Sequence, residues 1–220
     1  MLCMSVRKVT LDSGEYYHIY NRGVDKRVIF QDVEDSQYFL DRLCDFNSTE
    51  VVGGVYMQNF NKYKELRSKA SKLVEIVSYC LLPNHYHILL KANTDEGVSK
   101  FMHRVGTGYS KYFNKKYQRS GALFQGKFQA THISMNDTLP FMSVYVNLNY
   151  RHHKIDPEKN IVKTSFFEYI EKYNSNICNF EEVKSIVNGV GGIEEYKAYA
   201  KIQSLYFKER KEALKIKLPD

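Results

Sequence analysis

The sequence predicts an α+β fold: a ferredoxin-like antiparallel sheet, β-α-β-β-α-β, with helices on one face and a helical C-terminal extension. Three observations predict it. Short runs rich in Tyr, Ile, Val and Leu alternate with two long stripes of apolar residues at helical spacing. Two of those runs are adjacent, split only by Pro83-Asn84, which reads as a hairpin turn. The order strand, helix, strand, strand, helix, strand is then that of two joined βαβ units.

Glu15 to Arg22 (EYYHIYNR) is the first strand, and Asp32 to Asn47 the first helix. Phe39, Leu43 and Phe46 share a helix face, and acids crowd the first turn, where they favour the helix dipole. Ser48 to Lys72, with Gly53-Gly54 and several charges, reads either as a variable insertion or as a basic helix. Leu73 to Pro83 and His85 to Ala92 form the hairpin. The second helix carries a continuous stripe of Val98, Phe101, Met102, Val105, Tyr109, Tyr112 and Phe113. Gly106 and Gly108 weaken it by about 1 kcal/mol each, so close packing or a bend is expected there. Ser120 to Gly126 is a loop and Lys127 to Ser134 the fourth strand. Asn136 or Asp137 caps a further helix, with Pro140 in its first turn, that runs to about His153. From Lys154 on, twelve Lys/Arg balance eleven Asp/Glu, and the segment looks helical with a break at Asn188 to Gly192. Two units are expected: 1–153, and a helical extension, 154–220.

Bulk properties narrow the function. The chain has 220 residues, 43% hydrophobic and 26% charged, as in a globular protein. No apolar run is long enough to span a bilayer, and Met1 to Thr10 lacks the layout of a secretory signal. A cytoplasmic protein with no membrane contact is expected. The four cysteines are far apart and form no Cys-x-x-Cys pair, which argues against a zinc knuckle and for reduced, packed thiols. Net charge is +7, and residues 97–153 account for all of it, with eight Lys/Arg against the single acid Asp137. A basic block interleaved with Tyr and Phe suits a polyanion with stackable bases.

His85 and His87 stand at i and i+2 of a strand, so both imidazoles leave the same face. Tyr86, Ile88 and Leu90 form the opposite, apolar face. Two imidazoles are half a metal site. The helix ending near His153 supplies the rest: Tyr145 and Asn149 are i and i+4, neighbours on one helical face. A divalent cation such as Mg²⁺ or Mn²⁺ accepts imidazole and amide-oxygen ligands, and would polarise a phosphodiester oxygen. Beside it, a phenol whose ordinary pKa is about 10 becomes a competent nucleophile. A covalent phosphotyrosine retains the energy of the broken bond, allowing strand transfer without ATP.

Pro83-Asn84-His85-Tyr86-His87-Ile88-Leu89-Leu90 resembles the His-hydrophobe-His motif of HUH single-strand endonucleases. Tyr17 to Gly23, Tyr109 to Tyr117 with Ser120 to Phe128, and Tyr145 to Asn149 are similar to single-tyrosine transposases of the REP-associated tyrosine transposase type. The resemblance covers roughly residues 15–153. It implies that His85, His87 and Asn149 bind a metal. It implies that Tyr145 forms a 5′-phosphotyrosine and releases a 3′-hydroxyl. It implies a substrate of single-stranded DNA carrying a hairpin. Two positions depart from the pattern: Asn149 is followed by Tyr150 where the family often has Pro, and the middle of the His motif is the bulky Tyr86.

Arg104, Lys111, Lys115, Lys116 and Arg119 are the expected phosphate contacts, with Arg22, Asn21, Gln125 and Lys127 along the DNA path. Tyr109 and Tyr112 are assigned to the core, Tyr117 stays open as a rival nucleophile, and a structural role is expected for His18. His152 and His153 read as helix-end cations or DNA contacts. Two other readings stay open: a DNA- or RNA-hairpin binding module without cleavage, and a metal phosphodiesterase using activated water. A homodimer stays open too, because no heptad pattern settles it.

Overall fold

A computed structural model describes residues 9–50, 71–134, 138–157, 161–171, 177–207 and 209. The reading of Ser48 to Lys72 and the cap at Asn136 or Asp137 fall largely or wholly outside them. The elements follow the predicted order: β1 (Tyr16–Arg22), α1 (Val33–Asp45), β2 (Val74–Leu82), β3 (His85–Ala92), α2 (Gly97–Lys116), β4 (Gln129–Ile133), α3 (Thr138–Asn147) and α4 (Asn149–His152). Then come β5 (Lys163–Thr164), α5 (Phe166–Ile170), α6 (Phe180–Val190) and α7 (Ile193–Leu205).

The sheet runs β4-β1-β3-β2-β5, all neighbours antiparallel, so its first four strands have the ferredoxin-like order. Leu82 pairs with His85, confirming the two-residue turn at Pro83-Asn84. Asp32 caps α1 by accepting from the Asp35 N–H. The stripe of α2 is buried from Val98 to Phe113 except Tyr112, assigned to the core from the sequence but only half-buried here, because its hydroxyl reaches the Asp35 carboxylate. Close packing explains one of its glycines: a Cβ at Gly108 would lie 2.7 Å from Phe46 Cε2. It does not explain Gly106, where a Cβ would meet nothing within 4 Å.

The two faces of β3 separate as period-2 geometry requires. Tyr86 packs against Phe39 of α1 and Phe124, ring centroids 5.0 and 5.8 Å away, on the face covered by α1 and α2. His87 looks the other way, toward Tyr145 of α3. The second face is therefore also covered, by α3 and the C-terminal helices, where the sequence suggested helices on one face alone. Tyr169 donates to the Val77 carbonyl, Ser165 Oγ accepts from the Tyr79 N–H, and β5 extends the sheet beyond β2. Residues from Tyr169 to Phe207 share one apolar core with the strands. This cover explains why α3 is buried all round, from Phe141 to Asn147, instead of having one solvated face.

Candidate functional site

The continuous helix expected up to His153 is broken. Leu148 leaves the helical region (φ −108°, ψ 20°) and divides α3 from α4. The short α4 places Asn149 beside His85 and carries His153, just past its end, onto the same imidazole. His85, His87 and His153 offer ring nitrogens that all lie within 4.8 Å of one another. His153, read from the sequence as a helix-end cation or a DNA contact, is thus the third member of the cluster. The signal was present: Asn149 and His153 are again i and i+4.

A hydrogen bond to Asn84 sets the tautomer of His85. His85 Nδ1 donates to Asn84 Oδ1 at 2.6 Å, leaving a lone pair on Nε2, which faces His153 Nε2 at 3.2 Å. That separation matches neighbouring ligands held at about 2.0–2.2 Å from one ion. His87 Nδ1 pairs with His18 Nε2 at 2.8 Å, and the two rings lie parallel, 2° apart. His18 therefore orients His87, a more specific task than the structural role read from the sequence. At the cluster, His87 Nε2 and both polar atoms of the Asn149 carboxamide are buried without a hydrogen-bond partner. Buried acceptors such as His87 Nε2 and Asn149 Oδ1 are costly when unpartnered, and a cation would satisfy them. The donor set fits a divalent metal ion.

Electrostatics agree. Burial lowers the His85 pKa to about 3, with the charges of His153 and Arg22 adding to the effect. Burial, then His152 and Arg22, lowers His153 to about 4. Burial and its histidine neighbours hold His87 well below its ordinary value. All three imidazoles are neutral near pH 7, the state in which they ligate metals.

Tyr145 joins this cluster. Its ring lies 5.8 Å from His18, 6.0 Å from His87 and 6.1 Å from His152. It is fully buried, with Phe141 and Phe207 against it. Tyr117 is elsewhere: its hydroxyl donates to Asp35 and Asp32 on the α1–α2 side of the sheet. A cavity of about 350 Å³ opens onto His85 and His87, walled by Tyr20, Arg22, Gln125 and Lys127. Tyr20, which pairs with His87 across the strands and stacks on it, was missed from the sequence.

The basic residues divide. Lys127, Lys111 and Lys115 are exposed, and Arg22 acts electrostatically on all three site histidines. Arg104 instead donates to the Ser48 and Phe46 carbonyls at the end of α1. Lys116 binds Asp32, Asp35 and Glu34. Arg119 donates to Asn114 and to the Ala122 carbonyl, bracing the loop that follows. Arg104 and Lys116, expected from the sequence to contact phosphate, are thus engaged within the fold.

The sheet thus brings clustered imidazoles beside a helix-borne tyrosine. Residues 61–149 match the family described as transposase IS200 like, a stretch that contains His85, His87, Tyr145 and Asn149. No curated protein matches the chain. Among solved structures, it is similar to that of a REP-associated tyrosine transposase bound to a REP hairpin. The identity is 14% and the TM-score 0.49, over 81% of this chain and 96% of that one. The sequence resemblance to single-tyrosine transposases thus holds as a match to the IS200-like transposase family. Among the described residues, no helix is long and apolar enough to cross a membrane.

Proposed function

We propose that this protein cleaves and rejoins single-stranded DNA beside hairpins, through a 5′-phosphotyrosine on Tyr145, with a divalent metal ion. The observation that carries the reading is the approach of the Tyr145 ring to within 6.0 Å of His87, one of three clustered neutral imidazoles. His85, His87, His153 and Asn149 would hold the ion, and three imidazoles suit Mn²⁺ better than the oxygen-seeking Mg²⁺. Bound there, it would polarise a non-bridging phosphate oxygen. Tyr145 Oη forms the bond to phosphorus, the P–O3′ bond breaks, the phenolic proton is released, and the departing 3′ oxygen takes up a proton. Arg22 and Lys127 wall the histidine cavity and offset phosphate charge there. Lys111 and Lys115 extend that field along α2. Burial of Tyr145 under Phe207 means that Phe207 must shift before DNA reaches the phenol.

The test is incubation with a hairpin-bearing single strand and Mn²⁺, followed by denaturing electrophoresis and mass spectrometry of the adduct. A covalent adduct is expected on Tyr145, and Tyr145→Phe abolishes it while binding persists. Cleavage without any protein-linked strand would point to activated water instead. A second reading has its own support: Tyr20 lines the open histidine cavity and Tyr145 does not. An adduct that survives Tyr145→Phe and maps to Tyr20 would transfer the nucleophile's role to the strand residue. Binding that ignores chelators, with no cleavage in Mn²⁺, would leave a hairpin-binding module.

A further inference from the structure

A larger cavity lies on the other face of the sheet. It holds about 820 Å³, between one side of α2 and the loop 121–128. Its α2 wall is His103, Gly106, Thr107, Ser110, Lys111 and Asn114, the stripe opposite the buried one. Its apolar surface comes from Tyr86, Met102, Phe124 and Phe128. No acid lines it, and Lys111 and Lys127 stand exposed at its rim. A planar apolar group bearing negative charge suits this chemistry.

The loop wall is fixed. The Gln125 N–H donates to the Arg22 carbonyl and the Val24 N–H to the Leu123 carbonyl, each at 2.9 Å. Asn21 Nδ2 donates to the Gly126 carbonyl at 3.1 Å. Asn21 and Lys127 line both this cavity and the histidine cavity. One strand can therefore occupy both, passing the end of β1. Gly106 faces the cavity, and its helical cost has no packing neighbour to explain it. A ligand that needs the open floor would.

We propose that the cavity between α2 and the 121–128 loop binds an unpaired nucleotide of the DNA strand whose neighbouring phosphodiester reaches the histidine site. The proposal rests on the single-strand reading above and adds where the strand continues. The nucleobase stacks beside Phe124 or Phe128, and Lys111 and Lys127 take the flanking phosphates.

Gly106→Leu tests it. Leucine in place of glycine favours the helix, so the melting temperature rises, while the side chain fills the cavity. Fluorescence anisotropy is run on a blunt DNA hairpin and on the same hairpin with a single-stranded extension, in chelator to prevent cleavage. Affinity for the extended hairpin is expected to fall about five- to hundredfold, the range for loss of a stacked base, with the blunt hairpin unaffected. In wild-type protein, 5-iodouracil in the extension is expected to crosslink to peptides within 97–128. Equal affinity of Gly106→Leu and wild type for the extended hairpin, or crosslinks confined to other peptides, overturns the proposal. If that happens while wild type still forms the Tyr145 adduct, the groove alone is rejected. If wild type binds neither DNA, the single-strand reading and the groove fall together.

Discussion

His18→Phe separates metal-site geometry from everything else in the fold. If His87 ligates through Nε2, its Nδ1 carries the proton and donates to His18 Nε2, 2.8 Å away. Phenylalanine keeps a flat aromatic ring beside His87 but has no acceptor. The buried Nδ1–H is then orphaned, at a cost of about 1–3 kcal/mol, and the ring is free to adopt the other tautomer, which turns its lone pair away from the cluster. Loss of such an outer partner weakens metal affinity about 10- to 100-fold, or about 1.4–2.7 kcal/mol. Titration calorimetry with Mn²⁺ measures this directly, and nitrogen chemical shifts report the His87 tautomer. Hairpin affinity in chelator stays unchanged, because His18 is fully buried. His18→Gln, which restores an acceptor, recovers part of the metal affinity. A Kd for Mn²⁺ within twofold of wild type in His18→Phe would refute the role.

Phe207→Ala removes the ring packed 5.4 Å from Tyr145, so adduct formed per minute should rise; an unchanged or lower yield in folded protein argues against the Phe207 cover. Lys116→Ala strips the cation from the fully buried Asp35 and should cost about 1–3 kcal/mol in urea unfolding with no change in the salt dependence of DNA binding. Lys127→Ala should do the reverse, lowering the slope of log affinity against log salt by about 0.7. In metal-free protein the three cluster histidines have folded pKa values depressed below an unfolded value of about 6.5. Their stabilisation is present above that value and lost as pH falls. With up to three extra protons on the unfolded chain, the slope approaches about 4 kcal/mol per pH unit near pH 5, measurable by denaturant titration.

Much of this was legible in the sequence because it depends on local periodicity. Alternation on β3 separated His85 and His87 from Tyr86, and the stripe on α2 named its buried residues, since both patterns follow from backbone repeat alone. What escaped was set by tertiary partners. Arg104 and Lys116 look like their exposed neighbours Lys111 and Lys115, and only the chain passing beside them decides that they serve α1. The break at Leu148 has no glycine or proline to mark it, yet it turns His153 toward His85. The burial of α3 on both sides depends on a C-terminal segment whose balanced charge suggested a separate extension.

Cover and chemistry at this site are connected. Burial keeps the histidines neutral: it is the largest cause of the depressed values at His85, His87 and His153 alike. On the C-terminal side, Phe207 lies against Tyr145 and His152. The histidine cavity, by contrast, opens on the opposite flank, past Arg22 and Lys127. On the proposed mechanism, an ion would reach the histidines while the phenol stays covered. Metal loading and exposure of Tyr145 would then be separable steps, and only the second would require Phe207 to move. A single-stranded phosphate entering beside Lys127 would meet the imidazoles first and Tyr145 only after that displacement.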